Sequence, residues 1–96
     1  MQVFVIAKVP ENVSLDQVFL YVKAEAQKAW EYYVQDQLRS IYYIPDMSGA
    51  VLMLEVENLE QAQVLLADLP MVKENVLDCE IIPLQPYRGF EALFSQ

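Results

Sequence analysis

Neither strand of the hairpin RSIYYIPDMSGAVLMLEVE, residues 39 to 57, has a clearly polar face. A lone antiparallel sheet usually keeps one side for water, which shows as alternation of apolar and polar residues. Tyr42, Ile44, Val51, Leu52, Met53 and Leu54 break that alternation, so both sides of the hairpin need cover. A chain of 96 residues suits one domain with one core, read here as spanning 1–96. With 55% of residues hydrophobic and 21% charged, that core is too small to hide all the apolar material. Self-association, as a homodimer or a higher homo-oligomer, is therefore expected.

The first strand is QVFVIAKV, residues 2 to 9, closed by Pro10-Glu11-Asn12. Ser14 and Gln17 form a capping-box pattern, and from Leu15 to about Leu38 there is neither Gly nor Pro, which predicts one long helix. Leu15, Val18, Phe19, Val22, Ala26, Ala29, Trp30 and Tyr33 fall in one arc of that helix, the face expected to pack on the sheet. The second strand is expected from about Ser40 to Ile44, the turn over residues 45–49, and the third strand from Ala50 to Glu57. Asn58 caps a shorter helix with Gln61 completing a second capping box, and Pro70 stops it. Residues 71–76 connect onward to a last strand, Leu77 to Leu84, where Pro83 suits a sheet edge.

The order strand, helix, strand, strand, helix, strand predicts an α+β, ferredoxin-like βαββαβ fold, a four-stranded antiparallel sheet with both helices on one face. The bare face is best covered by the same sheet of a second copy, giving a dimeric α+β barrel. In the tail, residues 84–96, Phe90, Leu93 and Phe94 repeat at i, i+3, i+4, with Tyr87 and Arg88 at its root. A short helix or arm laid over a neighbouring subunit is expected there.

Charge narrows the partners. Six basic against 14 acidic residues give a net charge of −8, which opposes binding to phosphate backbones and anionic lipid surfaces, so neither nucleic acid nor membrane is an expected partner. The N-terminus has no basic n-region, and no apolar run approaches the ~20 residues of a membrane span; a cytoplasmic location is the expectation. Without His, and with the single Cys79, ordinary zinc sites and haem–histidine ligation are closed off, and Cys79 reads as a small buried hydrophobe.

From Glu25 to about Tyr87 the chain resembles muconolactone isomerases, small cofactor-free enzymes of the dimeric α+β barrel superfamily. The segments DQLRSIYYI, LEVENLEQAQVLLADLP and LPMVKENVLDCEIIPL carry the resemblance. It implies that Arg39 stands at the family's basic position and Glu25 at a helix carboxylate. It also implies proton transfer on a small lactone or aromatic acid with no cofactor. Ser40 and Met47 occupy the positions where members commonly carry histidine, so any proton shuttle here must use other groups.

Glu25 lies about 60° round the wheel from Val22, at the edge of the apolar arc, with Tyr21 and Tyr32 on the same shoulder. Burial beside aromatic rings would raise its pKa and make it a base near neutrality; the plainer reading is a rim glutamate paired with Lys28. Arg39, if strand alternation holds, shares a face with Ile41 and Tyr43 and could clamp a carboxylate; equally it could pair with Asp36 or a partner's acid. Tyr43 or Tyr42 would donate a hydrogen bond to a developing enolate. Tyr21, Tyr32, Ser40, Tyr42 and Met53 are the candidate substrate-contacting residues, against the alternative that most are core and interface packing. Asp78, Glu80 and Asp68 make only a weak metal-site pattern, and no metal is expected. Three functions remain open: an isomerase-like enzyme using Glu25, Arg39 and Tyr43, a cofactor-independent monooxygenase, and a non-catalytic oligomeric module.

Overall fold

The computed structural model describes residues 1–95. Along the chain lie β1 (Gln2–Lys8), α1 (Leu15–Phe19), α2 (Val22–Val34), β2 (Leu38–Tyr43), β3 (Gly49–Glu55), α3 (Leu59–Ala67), α4 (Pro70–Lys73), β4 (Asp78–Pro83) and a 3-10 helix over Gly89–Leu93. The strands form one antiparallel sheet in the order β2-β3-β1-β4. This is the ferredoxin-like α+β fold, with Pro83 at the end of an edge strand, where the missing N–H costs no ladder bond.

Alternation along β1 sorts the two faces. Val3, Val5 and Ala7 are buried and pair across β3 with Leu54, Leu52 and Ala50. They share one core with Tyr32 of α2 and with Ala62 and Leu66 of α3, so the helices cover this side. Phe4 and Ile6 point the other way, beside Met53, Val51 and Ile82, all only half-buried. Gly49 is required where β3 meets β1, because the Ala7 carbonyl occupies the place a Cβ would take.

The long helix expected over residues 15–38 is two helices. Tyr21 leaves helical geometry at φ −110°, ψ 2°, its N–H bonding back three residues to the Val18 carbonyl at 3.0 Å. Val18, Phe19, Tyr21 and Val22 are all weak helix formers, so the ladder yields there without a Pro or Gly to mark it. The break turns Tyr21 toward the core and leaves Leu20 projecting into solvent. The C-terminal end comes early because Asp36 takes a left-handed conformation (φ 62°), and Gln37 and Asp36 donate to the carbonyls of Tyr32 and Tyr33 at 2.9 and 3.1 Å. That paired closure is a Schellman motif. Asn75 (φ 60°) ends α4 the same way, so the expected plain connection over 71–76 is a capped helical turn.

The tail does not fold back on the body. Leaving the sheet where the Leu84 N–H meets the Gln2 carbonyl, it carries Tyr87, Phe90, Leu93 and Phe94 largely exposed. The Cα radius of gyration, 15.6 Å, exceeds the roughly 12–13 Å of a compact chain of this length.

Candidate functional site

The helix layer stands away from the sheet at one end. Along α2 the side chains that turn inward are Glu25, Ala29 and Tyr32, at helical spacing i, i+4, i+7. The more apolar arc predicted to pack on the sheet is rotated off it: Phe19, Val22, Trp30 and Tyr33 are each more than two-fifths exposed. Between that arc and the strands opens a cavity of about 670 Å³, a volume usual for small-molecule sites. Ala7, Ala50 and Leu52 form its sheet wall, Ile41, Tyr42 and Tyr43 of β2 border it, and Met47 reaches it from the β2–β3 turn. Trp30 and Tyr33 stack on each other at 5.5 Å between ring centroids.

Glu25 is on this wall. Its Oε1 accepts the Met71 N–H at 2.9 Å, tying α2 to the first turn of α4. Half-burial raises the carboxyl pKa above its ordinary value, and the Met71 hydrogen bond offsets part of that rise. Lys28, expected as a partner for Glu25, instead bonds Asp68 at 2.8 Å and Glu31 at 3.3 Å. Asp68 also takes Lys73 at 2.8 Å, and the hydrogen bonds from Lys28 and Lys73 hold its pKa at about 2. Cys79, half-buried in β4, has its thiol pushed up to about 11 by burial and then by the Glu25 charge, so at neutral pH it is a protonated, inert thiol.

The structure separates the remaining candidates. Tyr43 and Tyr42 are on the cavity border with Glu25. Tyr32 is buried, its hydroxyl donating to the Leu65 carbonyl at 2.6 Å, and Tyr21 packs against the core. Ser40 and Met53 pair with each other on the opposite face of the sheet. Arg39 does not share a face with Ile41 and Tyr43: Leu38 and Ser40 oppose the consecutive residues Leu54 and Met53, making Arg39 the extra residue of a β-bulge. It lines an adjoining hollow of about 400 Å³ that meets the cavity at Tyr33 and Leu38, together with Asp36, whose carboxylate is 3.8 Å away. Trp30, Tyr33, Phe19 and Val22 are wall residues that periodicity assigned to packing. The hydrophobic arc was the signal, but an apolar stripe looks the same whether it meets a sheet or a pocket. Among the described residues no three or more acidic or Cys side chains come together in a metal-like group. None of their helices is long and apolar enough to cross a membrane.

No family model and no curated protein matches the sequence. Solved structures do match. The fold is similar to that of 5-chloro-2-hydroxyhydroquinone dehydrochlorinase from Burkholderia phenoliruptrix AC1100 in complex with 2,5-dihydroxybenzoquinone, with a TM-score of 0.78 and 13% identity over 92% of this chain and 97% of that one. It is also similar to muconolactone isomerase, with a TM-score of 0.74 and 18% identity over 93% of both chains. The chain therefore has a muconolactone isomerase-like fold, a scaffold that carries different activities in these two neighbours.

Proposed function

We propose that this chain binds a small, mainly apolar lactone or ring compound in the cavity between helices and sheet, and moves a proton on it without a cofactor. Glu25 is the base: Oε1 is held by Met71, and Oε2 is left to take a proton from an acidic C–H of the ligand. The electron pair moves onto the adjoining carbonyl, whose oxygen accepts a hydrogen bond from Tyr43, and the proton returns at another carbon. The single observation that carries this reading is a half-buried carboxylate of raised pKa on the wall of an otherwise uncharged cavity. The neighbours' names, an isomerase and a dehydrochlorinase, fit small-molecule chemistry on this scaffold. Deuterium exchange and double-bond migration in a simple butenolide, followed by NMR in D2O, test it. Glu25→Gln should abolish both while the fold persists, and unchanged exchange in that variant would remove Glu25 from the mechanism.

A second reading has its own observation. Glu25 already serves α4 by accepting the Met71 N–H, so a binding module without turnover would also retain it. Binding without exchange in the wild type favours that reading.

The active form we propose is a dimeric α+β barrel. Phe4, Ile6, Val51, Met53 and Ile82 supply an apolar sheet face that a second copy covers, and the projecting tail lies over a neighbouring subunit. Sedimentation showing a stable monomer at micromolar concentration would contradict it.

A further inference from the structure

The cavity has a charge pattern that decides what enters it. Among the described residues Glu25 is the one charged side chain on its wall, and none of the six Lys and Arg residues lines it. Lys28 and Lys73 are committed to Asp68, and Arg39 is beside Asp36 in the other hollow. Lys8, Lys23 and Arg88 are exposed and are not among the residues of the wall. An acid ligand would therefore place its carboxylate in an apolar cavity beside a second carboxylate, with no cation to pair it, inside a protein of net charge −8. The residues with polar side chains on the wall or its border are Glu25, Tyr33 and Tyr43, with Tyr42 at the edge on the far face of β2, set among the rings of Phe19 and Trp30. Those are partners for a ligand hydroxyl and for an aromatic or flat ring.

We infer that the cavity selects uncharged, hydroxyl-bearing ring compounds and excludes carboxylates, an inference that rests on the cavity being the binding site proposed above. It replaces the acid substrate that the family resemblance implied, because that expectation needed Arg39 as an anchor in the site.

A matched pair tests it: 4-hydroxybenzamide and 4-hydroxybenzoate share ring and hydroxyl and differ in charge at pH 7. Trp30, the only tryptophan, is on the wall and reports binding by its fluorescence. The neutral amide should bind at least about tenfold more tightly than the carboxylate, as like-charge juxtaposition in a low-dielectric site demands. Glu25→Gln, which keeps an oxygen for the Met71 N–H, should narrow that ratio by relieving the repulsion. Equal or tighter binding of 4-hydroxybenzoate by the wild type would overturn the inference and leave the cavity as a binding site. A ratio unmoved in Glu25→Gln would overturn Glu25 as the source of the exclusion. Silence with both compounds at millimolar concentration would overturn the selection of hydroxyl-bearing rings, while butenolide exchange would still decide the function proposed above.

Discussion

Replacing Tyr32 by Phe separates a structural tyrosine from a ligand-contacting one. The ring is only 6% exposed, and its hydroxyl donates at 2.6 Å to the carbonyl of Leu65 in the last turns of α3. That carbonyl belongs to the group at a helix C-terminus that lacks helical partners, and the Leu69 N–H, four residues on, bonds Leu66 instead. Phe keeps the packing and removes the donor, so the loss is one partly buried hydrogen bond plus an acceptor left without it, about 1–2 kcal/mol. For a domain of this size that lowers the melting temperature by roughly 4–15 °C. Urea titration followed by circular dichroism should show a lower midpoint with an unchanged slope. Binding of 4-hydroxybenzamide, read from Trp30, should not change. Undiminished stability together with weakened binding would show that the hydroxyl serves the ligand, and would refute the placement of Tyr32 in the core.

Other substitutions probe the packing and the wall. Because burial raises the Glu25 pKa, the native state holds its proton where the unfolded chain has released it, so this group's contribution to stability falls as pH rises from about 4.5 through the folded value. Glu25→Gln should flatten that part of the stability–pH curve and be no less stable than the wild type at pH 7, as urea melts between pH 4 and 8 will show. Leu54→Ala, at a position 1% exposed in the centre of the sheet, should cost about 3–5 kcal/mol in the same melts. Met47 reaches the cavity from a left-handed backbone conformation, φ 63°, that Gly adopts without strain. Met47→Gly should therefore leave thermal stability equal or higher while weakening 4-hydroxybenzamide binding through loss of the thioether side chain.

The fold was legible because its punctuation is chemical. Ser14 and Asn58 with their glutamines start helices, Pro70 opens α4 just past the end of α3, and Gly49 with the apolar runs around it sets the hairpin. The break at Tyr21 was not legible, since no Pro or Gly marks it and only weak propensities precede it. The left-handed closures at Asp36 and Asn75 were equally silent, because both residues are as common in ordinary turns. For the site, Glu25 stood out by lying at the edge of an apolar arc, a position that places it on a wall between core and space. Arg39, Ser40 and Met53 show what periodicity cannot carry. One extra residue in β2 breaks the alternation, and the face a residue occupies does not reveal which face holds the cavity.

A crystal structure of the protein with 4-hydroxybenzamide decides the claim that the cavity is the ligand site. The ring should lie between the α2 side chains Trp30 and Val22 and the sheet residues Ala50 and Leu52, its hydroxyl within hydrogen-bond distance of the Glu25 carboxyl. A cavity closed by Phe19 and Trp30 packed down on the sheet, or the ligand bound only outside it, would contradict that claim.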